Sequence, residues 1–143
     1  MKPQFGGAFA LQTIVAMVLA LIAYTIVCAI VFVACFIIYR VLSIIRPEII
    51  EIMGAVIGSV VGMYAARLAC DATLRDYSGK AVCIFFEIIF GVAVISVAID
   101  WSDFTWSWMV QITHAFVAAP AAFILFWNRT AEPKSLVGKL TIP

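Results

Sequence analysis

The chain has 143 residues, 66% of them hydrophobic and only 12% charged, with a formal net charge of +1. Soluble domains are roughly 45–50% apolar and about 25% charged, and a water-soluble chain of this length has no interior large enough to hide the excess. The composition therefore reads as an integral membrane protein, and the near-neutral charge offers no field for nucleic acid.

A membrane-crossing helix needs about 20 mostly apolar residues. Charged and turn residues cut the chain into four such pieces, predicted at about 8–40, 48–70, 81–99 and 105–127, with a polar tail over 128–143. The first run is uncharged from Pro3 to Tyr39. That far exceeds the roughly 7–15-residue core of a signal peptide, so it is read as a span that tilts or protrudes. Cys28 and Cys35 lie within it as small apolar packing residues. In the connection "SIIRPE", Pro47 is placed to open the second helix.

The second helix contains "GAVIGSVVGMYAA", with Gly54, Gly58, Gly62 and Ala66 at strict four-residue spacing. Each helix-interior glycine costs about 0.5–1 kcal/mol relative to alanine, so a stripe of them points to a helix face that a neighbour approaches closely. The spacing does not say whether that neighbour belongs to the same chain, a second copy or another protein; packing within the chain is the expectation. On a helical wheel Arg67 falls nearly opposite the stripe. An inward stripe then sends Arg67 toward lipid, snorkelling to the surface, whereas an outward stripe turns it toward Glu87.

The polar loop "DATLRDYSGK" (71–80) follows, flanked by Cys70 and Cys83. It is expected in the cytoplasm, where a disulfide rarely persists. Arg75, Asp76 and Lys80 of this loop, with Lys134 and Lys139 of the tail, are the candidate cytoplasmic recognition residues. In the third helix Cys83, Glu87, Gly91, Val94 and Ala98 share a face. After the turn "DWSDFTW" (100–106), the fourth carries a polar and small stripe of Ser107, Gln111, His114, Ala118 and Ala121. These two faces are expected to point into the bundle. Pro120 frees the carbonyl of Phe116, and the alanines beside it permit close approach.

An ionised group at the bilayer centre costs about 2.5–3.5 kcal/mol on insertion scales, so intramembrane ionisable residues are functional candidates. Glu87, His114, Gln111 and Arg67 form the candidate intramembrane polar site. Counting the helical rise offsets Glu87 from His114 by about 8 Å along the membrane normal, a gap that needs a water or Gln111 to bridge it. The plainer reading is a neutral glutamic acid and a neutral imidazole, each hydrogen-bonded to a neighbouring helix.

Basic residues set orientation. Seven of the nine (Lys2, Arg67, Arg75, Lys80, Arg129, Lys134 and Lys139) fall on the side of the termini and the 71–80 loop, leaving Arg40 and Arg46 opposite. The outer turn carries Asp100 and Asp103 with Trp101, Trp106 and Trp108, an interfacial aromatic belt. The sequon Asn128–Arg129–Thr130 then lies on the cytoplasmic side and is expected to stay unglycosylated.

The fold class expected is an all-α integral membrane protein, four transmembrane helices in an up-down bundle with both termini cytoplasmic, forming a single membrane domain. Phosphate-binding, nucleophile and metal motifs are absent from the sequence, so no catalytic residue and no metal site is predicted. Haem usually takes two axial ligands and the chain has one histidine; no cofactor is expected. The partners expected are membrane lipid and another integral membrane protein or a second copy of the chain. The layout is similar to that of entry-exclusion proteins of conjugative elements, holins, immunity proteins and small subunits of respiratory complexes, a likeness of layout that carries no residue across. The leading functional reading is a non-enzymatic interaction or accessory protein of a bacterial-type cell inner membrane. The alternative is a small oligomeric channel or proton-coupled transporter using Glu87 and His114.

Overall fold

The computed structural model describes residues 4–43, 46–99 and 106–128. They form helices α1 (Gln4–Leu42), α2 (Pro47–Thr73), α3 (Gly79–Ile99) and α4 (Trp106–Ala122), the last running into a π-helical turn at Phe123–Trp127. The stretches Gly6–Leu42, Pro47–Thr73, Gly79–Ile99 and Met109–Trp127 are each long and apolar enough to cross a membrane. The turn at 100–105 with Asp100, Trp101 and Asp103, the side chains of Trp106, Ser107 and Trp108, and the tail from Arg129 on, with Lys134, Lys139 and most of the sequon, lie outside the described residues.

Local chemistry explains the helix ends. Pro47 sits in the first turn of α2, where its missing N–H costs nothing, and Glu48 follows it toward the positive end of the helix dipole. At its other end α2 runs past Cys70 to Thr73. There Arg67 reaches Asp71 one turn on, Nε to Oδ2 at 2.5 Å, and the Leu74 N–H closes the helix on the Cys70 carbonyl at 2.9 Å. The polar loop is thereby reduced to a short segment over 74–78 that docks on α1. The Asp76 N–H donates to Gln12 Oε1 and the Ser78 N–H to Thr13 Oγ1, both at 3.1 Å. Tyr77 is buried and donates to Asp71 Oδ1 at 2.7 Å.

Helix α2 is the centre of the molecule, with α1 along one side and α4 along the other; α3 packs chiefly on α4. The glycine stripe faces α1. A Cβ built on Gly54 would meet Cys35 Cβ at 3.7 Å, and one on Gly58 would meet Cys28 Cα at 3.7 Å. At Gly62 the approach is closer: a Cβ there would lie 2.9 Å from Cys28 Sγ and 3.2 Å from the Tyr24 carbonyl oxygen. Ala66 continues the buried face. The thiol of Cys28 donates to the Gly58 carbonyl at 3.2 Å and that of Cys70 to the Ala16 carbonyl at 3.3 Å. None of the four cysteines is in a disulfide, so Cys70 and Cys83 are not bridged.

Two expected faces are corrected. On α3 the packed row is Val82, Cys83, Phe86, Phe90 and Val97; Glu87 sits at its edge, and Gly91 and Ala98 are exposed. Phe86 and Phe90 bring far more apolar surface than Gly91 and Ala98, and burying it turns the helix. On α4 the packed row is Ala115, Ala118, Ala122 and Phe126, with His114 beside it and Gln111 exposed. Arg67 is corrected as well. With the stripe against α1, Arg67 turns to α4 rather than standing free in lipid, while its row neighbours Val60 and Tyr64 stay exposed. The guanidinium lies 5.9 Å from the Phe126 ring centroid and hydrogen-bonds the Leu125 carbonyl through Nη1.

Candidate functional site

The polar centre of the bundle is built around His114. Its ring uses both nitrogens: Nε2 lies 2.5 Å from the Tyr24 hydroxyl of α1 and Nδ1 lies 2.9 Å from Ser59 Oγ of α2. Ser59 donates its single proton to the Ala55 carbonyl one turn back, at 2.6 Å. A longer contact of 3.3 Å joins Ser59 Oγ to the His114 carbonyl. The donor and acceptor pattern assigns the protons. Because the hydroxyl hydrogen of Ser59 is taken by Ala55, Nδ1–H of His114 donates to Ser59 Oγ; an apolar shell favours the neutral ring, in which Nε2 is an acceptor and the Tyr24 hydroxyl donates to it. A neutral imidazole thus ties three helices together with each donor matched to an acceptor.

The positions follow from the elements around them. Ser59 follows Gly58, so the side of α2 next to the stripe carries a hydroxyl toward α4. Tyr24 lies on the row Thr13, Ala16, Ala20, Tyr24 and Cys28, the buried face of α1. Rings close the surroundings. Tyr24 meets Phe86 and Phe90 edge-on at 5.8 and 5.9 Å, and Phe90 meets His114 at 6.3 Å. Phe86 stacks on Phe126 at 6.1 Å. In so apolar a shell an unmatched polar atom costs several kcal/mol, about the strongest reason for a closed network.

Tyr24 and Ser59 were not among the residues singled out in the sequence. A signal for them exists: a tyrosine hydroxyl in the middle of an otherwise apolar run, and a serine beside a close-packing glycine, each need a partner from another helix.

The other candidates do not join this network. Glu87 is half-buried, and among the described residues its carboxyl has no hydrogen-bond partner. Gln111 is exposed and bridges nothing to His114. Arg67 belongs to a second polar cluster, with Asp71, Tyr77 and the Leu125 carbonyl, at the end of the bundle that carries the 74–78 segment. Arg75 is exposed, Asp76 is half-buried with its N–H on Gln12, and Lys80 is exposed with Nζ 5.3 Å from the Trp127 ring centroid.

A serine beside a histidine is, by residue type, a nucleophile and a base. Here Ser59 has no exposed surface and gives its proton to a backbone carbonyl rather than to the imidazole, so the pair lacks both the access and the hydrogen bond that nucleophilic catalysis uses. Among the described residues no group of three or more His, Cys, Asp or Glu side chains is placed to hold a metal ion. Comparison with family models, with curated proteins and with solved structures gave no match.

Proposed function

We propose that this chain is a non-enzymatic, multi-pass protein of a cell inner membrane that acts by binding another integral membrane protein or a second copy of itself. In this reading the helices run up and down with both termini in the cytoplasm, and Arg75, Asp76 and Lys80, with Lys134 and Lys139, give the contact its specificity. The observation that carries the proposal is α1. Its 39 residues extend about 58 Å, nearly twice the hydrocarbon thickness of a bilayer. Beyond Cys28 the face of α1 turned away from the glycine stripe carries exposed large side chains, among them Ile30, Val33, Phe36, Ile37 and Val41. A helix this much longer than the hydrocarbon core is in hydrophobic mismatch, which association with a protein neighbour on its open face relieves.

The His114 network supports this reading over the transporter alternative. Both ring nitrogens are engaged by Tyr24 and Ser59, and neither faces Glu87. A photoreactive residue placed at Ile30, Val33 or Ile37 in intact membranes tests the proposal. A discrete adduct of fixed mass at one face of α1 is the expected result. Adducts with lipid alone at all three positions overturn it.

A further inference from the structure

A cleft of about 530 Å³ runs between α2 and α4, away from α1, walled by Val60, Val61 and Tyr64 on one side and by Val117, Pro120 and Ile124 on the other. Its lining is almost wholly apolar, so a polar solute finds nothing to bind, whereas a hydrocarbon chain finds contact along its length. The row Val60–Tyr64 continues one turn on to Arg67, and Arg67 bonds the carbonyl of Leu125, which also lines the cleft. The cleft therefore ends at a cation.

That cation has spare capacity. A guanidinium carries five N–H donors. One goes to Asp71 and one to Leu125, and among the described residues the other three have no partner. The side chain is 24% exposed. Asp71 offsets part of the charge, but its carboxylate is shared with the Tyr77 hydroxyl. The depth also fits. Arg67 lies seven residues from the midpoint of α2 (Pro47–Thr73), about 10 Å along the axis, and the hydrocarbon core ends about 15 Å from the bilayer centre. An arginine side chain spans the difference and presents its donors at phosphate level.

We infer that the α2–α4 cleft seats one acyl chain of an anionic phospholipid whose phosphate is held by Arg67. The site is separate from the uncovered face of α1 and stands or falls independently of it. Pro120 and Ala121 suit the role: a ring and a methyl keep the α4 wall low, and the proline offers no N–H to the hydrocarbon.

Native mass spectrometry of the full chain in mild detergent, with phosphatidylglycerol or phosphatidylcholine of identical acyl chains, tests the inference. Both lipids carry the phosphate, but in phosphatidylcholine the quaternary ammonium neutralises it, so the wild type should retain the net-anionic phosphatidylglycerol about tenfold better. Arg67→Gln should remove the preference. Ala121→Phe, which fills the cleft, should lower both. Equal retention by the wild type, or a preference that survives Arg67→Gln, overturns the inference. A second measurement needs no variant: phosphatidylglycerol with a photoreactive acyl chain should label Val60–Tyr64 and Val117–Ile124, and labelling only elsewhere overturns it equally.

Discussion

Tyr24 and His114 are 90 positions apart in the chain, and the phenol oxygen of one lies 2.5 Å from Nε2 of the other. With Ser59 on the opposite nitrogen, this single ring links α1, α2 and α4. Interhelical hydrogen bonds in membranes are worth about 0.6 kcal/mol on average and about 1.7 at most. Tyr24→Phe is therefore expected to cost about 1 kcal/mol, since it leaves an imidazole nitrogen unmatched in an apolar shell. Ser59→Ala removes the acceptor on the other side of the same ring. The two changes should couple by about 0.5 kcal/mol or more, as partners in one network do. Thermal unfolding in mild detergent of both single variants and the double variant measures this. Strict additivity would mean that the two hydrogen bonds are independent.

The glycine stripe is not uniform, and substitution should expose the difference. At Gly54 and Gly58 an added methyl meets atoms at 3.7 Å, ordinary contact distance. Alanine there is expected to be neutral or to stabilise by up to about 1 kcal/mol through helix propensity. At Gly62 the same methyl would sit 2.9 Å from Cys28 Sγ, with the Tyr24 backbone close behind. Overpacking of this kind costs about 1–3 kcal/mol, and the shift it forces falls on the residue that holds His114. Unfolding midpoints of the three alanine variants should rank Gly62→Ala clearly lowest. Gly58→Leu, which drives a branched chain toward Cys28 and Val31, should lower abundance even with no partner present.

Glu87→Gln is expected to leave folding and abundance unchanged. Glu87 sits at the edge of the α3 packing row, and glutamine matches the shape of a neutral glutamic acid. Abundance and unfolding midpoint check this directly. Proton or ion flux into liposomes gives the same variant a second use. Robust wild-type flux that is lost in Glu87→Gln would favour the transporter reading over the interaction protein proposed above.

Orientation is tested by reporter fusions at Ser102 and Pro143. In the expected up-down topology seven of the nine basic residues fall on the side of the termini and the 71–80 loop, so the Pro143 fusion should report the cytoplasm and the Ser102 fusion the opposite compartment. A reversed pair of signals would invert the map and move Arg67 to the outer leaflet.

The four helices were legible in the amino-acid order because spanning length is a local property. A run either contains enough apolar residues to cross a bilayer or is cut by groups too costly to bury. Pro47 as the opening of α2 was legible for the same reason, since proline restricts its own backbone whatever surrounds it. The glycine stripe announced a close neighbour, but only the assembled helices identify it as α1 and make Gly62 the tightest point. The rotation of α3 and α4 was decided by tertiary packing. A helical wheel weighs polarity, whereas the bundle weighs volume, and Phe86, Phe90 and Phe126 took the interior from Gly91 and Gln111. The polar centre was decided there too. Glu87 and His114 drew attention in the sequence because they ionise, yet His114 found Tyr24 and Ser59 instead. Which hydrogen-bonding groups meet depends on the depth and rotation of three helices at once, and no single stretch of chain contains that information.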